Sequence, residues 1–320
     1  MSEEVKQIEK IIKYLIELNE LGVSENEIIK RYEEKILSLK NVKLSSFFAE
    51  TVKGADVKAL EKVVIESKDP KWNFYFARDV KGADVKAHEK VVIESKDPFW
   101  NYKFAWNIEG ADVKALEKVV LESKDPELNF CFAEDVEGAD VKALEKVVIE
   151  SKDPLWNYRF AWNIEGADVK ALEKAVLESK DPEWNFCFVD VKGADVKAHE
   201  KVVIESKNPE WNFKFAEDVE GADVKVLEKV VIESKNSFWN YMFADYIEGA
   251  DVKAHGKVII ESKKLMDNYW FNDVLRKKFE DEYKFLSRNA LIFYYNFMDD
   301  VLDEMMEKNN EENKSMQKRF

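Results

Sequence analysis

The string GADVK begins at Gly54, Gly82, Gly110, Gly138, Gly166, Gly193, Gly221 and Gly249. That recurrence limits the fold more than any other feature of the chain. The interval is 28 residues in every case but one; the exception is 27, where "FCFVDVKG" lacks one residue relative to "FCFAEDVEG". A worn copy, residues 26–54, precedes the series and aligns without a gap. A fixed period of this length signals one small unit that buries its apolar face only by stacking on its neighbours. The spacing predicts an all-α fold, a right-handed α-solenoid of two-helix repeats with helical caps at both ends. Its expected parts are an N-terminal capping helix (1–25), a degenerate first repeat (26–53) and the tandem repeats (54–263). A C-terminal helical cap (264–307) and a polar tail (308–320) complete the chain.

One unit shows the local logic. In "GADVKALEKVVLESK" from Gly110, Val113, Leu116, Val120 and Ser123 fall on one side of a helix, and Lys114, Glu117 and Lys118 fall on the other. Gly110 suits the break before this first helix, since it takes a turn conformation without steric cost. Asp125-Pro126 opens a second, short helix ending near Val136: the Asp caps free N–H groups and Pro fits the first helical position. Helices this short are marginal alone in water, so stacking must supply the stability.

The pattern F-A-x-x-V-x-G-A-D-V-K-A-L-E-x-V-V-I-E-S-K-D, over residues 37–263, resembles tandem helical repeats found in bacterial and phage proteins. The resemblance implies the repeat architecture and brings no activity with it.

The repeats differ mainly in the second helix. On a wheel of about 100° per residue, Trp100, Phe104 and Ile108 share one flank with Asn101 and Ala105 beside them, and these slots hardly change between repeats. They are expected inside. Phe99, Lys103 and Trp106 lie together on the opposite side. Elsewhere those three slots hold Lys71, Tyr75 and Arg78; Glu127, Cys131 and Glu134; or Glu210, Lys214 and Glu217. Slots that accept Lys, Arg and Glu are exposed, so the apolar residues there are expected to be exposed as well.

Three repeats carry the apolar version: Phe99 with Trp106, Leu155 with Trp162, and a weaker set of Phe238, Met242 and Tyr246. The same repeats place Tyr102, Tyr158 and Tyr241 where others have Phe, so several changes travel together. Exposed aromatics in clusters mark interaction surfaces. The expected contact set is Phe99, Tyr102, Lys103, Trp106, Glu127, Glu134, Leu155, Tyr158, Arg159, Trp162, Phe238, Met242 and Tyr246. Duplication of a 56-residue double unit with a freely drifting outer face would give the same alternation; so would burial of that face by curvature.

Charge narrows the partner. The chain carries a net charge of −15, which argues against direct binding to a nucleic-acid backbone. Residues 54–81 carry +1, residues 110–137 carry −5 and residues 193–220 carry −3. A protein partner with basic residues around apolar knobs matches this surface. Self-association through the same patches is an alternative, as is an acidic inhibitor or nucleic-acid mimic that binds a DNA- or RNA-handling protein. No 18-residue apolar window and no signal segment is found, so no membrane partner and a cytoplasmic location are expected.

Chemistry leaves no mark. His88, His199 and His255 each replace a leucine of other repeats (Leu60, Leu116, Leu144, Leu172, Leu227) and lie too far apart to share a metal. Cys131 and Cys187 occupy equivalent slots, with neither metal-ligand spacing nor a disulfide pattern. The recurring Asn of "WN" is expected to make a structural hydrogen bond. No phosphate loop or nucleophile motif is present. The expectation is a non-enzymatic binding scaffold with no catalytic residue, metal or cofactor.

Overall fold

The GADVK and SKDP strings punctuate the chain in three dimensions as they do in sequence. The computed structural model describes residues 26–262 together with Lys10, Trp270 and Val274. Asp112 caps a first helix by accepting the Ala115 N–H at 3.2 Å, and that helix stops at Lys124, whose φ of 56° is left-handed. A side chain in this region costs roughly 1 kcal/mol. The turn offsets that cost locally: Ser123 Oγ donates to Val120 O at 2.6 Å and accepts the Asp125 N–H at 3.1 Å. Asp125 then accepts the N–H groups of Glu127 and Leu128, with Pro126 at the first helical position. Gly110, at φ 75°, makes the left-handed step between repeats.

Seventeen helices result among the described residues. The worn repeat supplies α1 (Asn26–Leu39) and α2 (Val42–Thr51). First and second helices then alternate as α3 (Val57–Ser67) and α4 (Pro70–Asp79), α5 (Val85–Ser95) and α6 (Pro98–Asn107), and α7 (Val113–Ser123) and α8 (Pro126–Asp135). Next come α9 (Val141–Ser151) and α10 (Pro154–Asn163), α11 (Val169–Ser179) and α12 (Pro182–Phe188), and α13 (Val196–Ser206) and α14 (Pro209–Asp218). The series closes with α15 (Val224–Glu233), α16 (Ser237–Tyr246) and α17 (Val252–Glu261). The 27-residue interval is absorbed in α12, which is 7 residues long where its counterparts have ten, and Val189 after it stays in the helical region.

The chain divides into two compact units, Met1–Leu172 and Glu173–Phe320. In the first, second helices pack on second helices (α4, α6, α8, α10) and first helices on first (α3, α5, α7, α9), giving a two-layered all-α stack of 28-residue pairs. In the second, α12, α14 and α16 form one layer, and α13, α15 and α17 the other. One phenylalanine per repeat is fully buried between the layers: Phe48, Phe76, Phe104, Phe132 and Phe160 in the first unit, and Phe188, Phe215 and Phe243 in the second. The terminal caps and polar tail lie outside the described residues. Val274, however, packs with Ala244, Val252 and Ile259, and Trp270 lies against Tyr241 at 5.7 Å.

Two expectations about the helix faces are corrected. Glu117 was placed on the solvent side of its helix, but it is buried, and its carboxylate accepts the Asp140 N–H of the next repeat at 2.6 Å. The same stitch joins Glu33 to Asp56, Glu61 to Asp84, Glu89 to Asp112 and Glu145 to Asp168 in the first unit. In the second it joins Glu173 to Asp195, Glu200 to Asp223 and Glu228 to Asp251. A helix wheel assigns every carboxylate to water, because it cannot see a donor 23 residues ahead. Burial pushes the Glu33, Glu117 and Glu228 carboxyls above their ordinary range, against the pull of the N–H each accepts. The second correction concerns Trp100, which is half-buried at the edge of the core rather than inside it; Phe104, Ile108, Asn101 and Ala105 are buried as expected.

Candidate interaction surface

With one side of every second helix in the core, the opposite side faces solvent. On α6, Phe99 is 43% exposed and Trp106 47%; on α10, Trp162 is 54% exposed; on α16, Tyr246 reaches 58%, with Phe238 also exposed. Leu155, Tyr158, Lys103 and Met242 are half-buried beside them, while Arg159, Glu127 and Glu134 are exposed. Phe47 on α2 belongs to the same face; the gapless alignment places it in the slot of Tyr75 and Lys103, and the sequence reading, confined to the later repeats, did not include it. It borders a shallow groove of about 290 Å³ lined by Lys43, Trp72, Tyr75 and Arg78 among others.

Tyr102 departs from the expected contact set. It is 5% exposed, and its hydroxyl donates to the Asp135 carboxylate of the following repeat. Burial and that bond both raise its pKa. Its role is to support the patch: the Trp106 ring stacks on it at 5.8 Å, with the planes 5° apart. Lys103 Nζ lies 4.5 Å from the Trp106 centroid, 5.0 Å from Tyr102 and 5.6 Å from Phe99. A cation over ring faces is held by their quadrupoles, so Lys103 is drawn onto its own helix. Arg159 does the same over Trp156 at 5.0 Å. The rows on α6 and α10 therefore each carry a cation, whereas on α16 Met242 takes that slot.

The row between them differs. On α8, Cys131 takes the Lys103 slot and is half-buried, between exposed Glu127 and Glu134. Its thiol is pushed up to about 11, first by burial and then by Asp135, Glu127 and Glu134. A cysteine held so far from its thiolate form is a poor nucleophile. Cys187, on α12, is likewise raised by burial and nearby carboxylates, and both cysteines are free thiols.

The histidines belong to the core. The amide nitrogen of Asn73 donates to Val64 O and Asp69 O, tying the second helix to the first; this is the structural bond expected of that residue. Its oxygen is left over. His88, fully buried against Phe76, reaches Asn73 Oδ1 with Nδ1 at 2.7 Å, and Nδ1 must be the donor because that oxygen only accepts. His199 meets Asn185 and His255 meets Asn240 in the same way, both at 2.8 Å. Where Leu116, Leu144, Leu172 or Leu227 stands instead, the oxygens of Asn101, Asn129, Asn157 and Asn212 have no protein partner.

Nε2 of His88 lies 3.2 Å from Glu61, and Nε2 of His199 lies 3.3 Å from Glu173. Burial lowers both histidines below their ordinary 6.5, with Glu61 and Asp84 opposing at His88, and Glu173 and Asp195 at His199. The unfolded chain takes up these protons first, so stability holds above about pH 6.5 and falls as the pH drops below it. His88→Leu with His199→Leu is expected to flatten that fall. Denaturant midpoints at about pH 7.5 and about pH 5.5 measure it, and a wild-type slope in the double variant would assign the pH response to other groups.

Among the described residues, no group of three or more His, Cys, Asp or Glu side chains is placed to hold a metal ion. None of their helices is long and apolar enough to cross a membrane. No family model, curated protein or solved structure matches the chain.

Proposed function

We propose that this chain is a non-enzymatic, cytoplasmic protein-binding scaffold whose contact face is the outer side of the second helices. The observation that carries the reading is the exposure of Phe99, Trp106 and Trp162 in slots where the neighbouring α8 carries glutamate. An array that can solvate these positions with charge, and instead presents indole rings there, has a use for the rings. Lys103 and Arg159 inside the aromatic rows argue against a mimic of the nucleic-acid backbone, which needs an unbroken run of negative charge.

Changing Trp106 and Trp162 together to Glu copies the charge already carried at Glu134 and Glu217, and is expected to leave the melting curve near wild type. Affinity capture of a protein from the native host should fall by more than about tenfold, since an aromatic anchor at an interface centre contributes ~2 kcal/mol or more. Unchanged capture by a normally folded variant would remove this face from consideration. If wild type alone instead shows a mass that is a multiple of 37.4 kDa, lost in the variant, the partner is a second copy.

A further inference from the structure

We propose that α8 receives a lysine or arginine side chain from an extended partner segment whose apolar residues seat on α6 and α10. The inference rests on the protein-binding reading above and specifies the partner's chemistry. Its template lies within the protein. On α14, Glu210 and Glu217 occupy the slots of Glu127 and Glu134, and Lys214 stands between them. Lys214 Nζ is 2.8 Å from Glu210 and 4.0 Å from the Trp211 centroid, which shows how a cation fills that slot.

On α8 the same two glutamates remain, but the lysine is Cys131 and the tryptophan beneath it is Leu128. Two large side chains have been cut back on one helix. Between aromatic rows, this leaves a low, acidic position without its own cation. Lys103 on the neighbouring helix is near enough to oppose the rise of the Cys131 thiol, but its ammonium is held over Phe99, Tyr102 and Trp106 rather than between the two glutamates. Asp135 is fixed by Tyr102, which keeps a third carboxylate beside Cys131.

Spacing sets the partner's pattern. Second helices of adjacent repeats pack about 8–10 Å apart, so α6 and α10 are separated by roughly 20 Å. A segment extended in the polyproline II conformation advances about 3.1 Å per residue and, with three residues per turn, turns every third side chain to the same side. Apolar residues about six positions apart, with a basic residue midway, therefore match Phe99 and Trp106, then Glu127 and Glu134, then Leu155 and Trp162.

The probe is a set of nine-residue synthetic peptides with leucine at the second and eighth positions and Arg, Gln or Glu at the fifth, titrated calorimetrically into the full chain. The Arg peptide should bind about tenfold or more tighter than the Glu peptide, since like charges in contact are penalised. Cys131→Lys, which rebuilds the Lys214 arrangement, should abolish that preference; Cys131→Ser should keep it. Equal affinities for Arg and Glu peptides, retention of the preference in Cys131→Lys, or no binding by any peptide would overturn the proposal. Loss of the native partner in the Trp106/Trp162 double variant, with full capture by Cys131→Lys, would leave the binding face standing and remove this inference alone.

Discussion

Phe104→Ala is expected to lower the stability of the array by about 3–5 kcal/mol, while Trp106→Ala, two residues further on, costs about 1 kcal/mol or less. The contrast follows from which side of α6 each ring occupies. Phe104 is fully buried and meets Phe74 edge-on at 6.4 Å, inside a cluster that includes Val92, Leu116 and Val120. Its removal leaves a cavity that neighbouring repeats cannot fill, because the same ring is required of Phe76 and Phe132 in their own places. Trp106 is a larger side chain, but nearly half of it already meets water, and only its stacking on Tyr102 and Lys103 is lost. Trp100→Ala should fall between the two, in keeping with its half-buried position. Denaturant unfolding of the three variants measures the order. Equal losses for Phe104 and Trp106 would mean that the outer face is buried in solution, and the aromatic rows would then need another explanation.

What the sequence reveals and what it hides differ by the reach of the interaction. The helix starts at Asp125-Pro126, the break at Gly110 and the exposure of Trp106 were legible, since each follows from residues in one turn or from the same slot read across repeats. The Glu117 to Asp140 stitch and the His88 to Asn73 bond were not, because each joins adjacent repeats. A signal for the stitch was nevertheless present. Glutamate stands before the lysine in every "LEK" and "HEK", and it becomes Gly256 in "AHGK", after which no further GADVK turn follows to supply an N–H. Tyr102 misled for a similar reason. Its change from Phe travels with the exposed aromatics, yet its hydroxyl serves a carboxylate 33 residues away. For the contact face itself, comparison between repeats separated inside from outside, and only the contacts of Lys103 and Lys214 showed which rows hold their own cation.

Deleting residues 110–137 is expected to give a soluble, helical protein one repeat shorter, whereas deleting 110–124 alone should abolish cooperative melting. The whole-unit deletion joins Glu109 to Gly138 and keeps every register. Glu89 would accept the Asp140 N–H as it now accepts that of Asp112. Leu144 would lie over Asn101 in place of Leu116, and Asn163 would stand where Asp135 now meets Tyr102. Because each unit touches mainly its neighbours, the lost stability should amount to about one repeat and one interface. The shorter deletion removes α7 and places two second helices in succession. Asn129 then loses the Val120 carbonyl to which it donates at 3.2 Å, Glu89 loses its N–H, and the apolar face of α8 loses the helix that covers it. A ten-residue helix with no partner layer does not persist in water. Helix content by circular dichroism, beside the sharpness of the thermal transition, distinguishes the two proteins. If the half-unit deletion melts as sharply as the whole-unit one, stacking in registered pairs is not what holds this chain together.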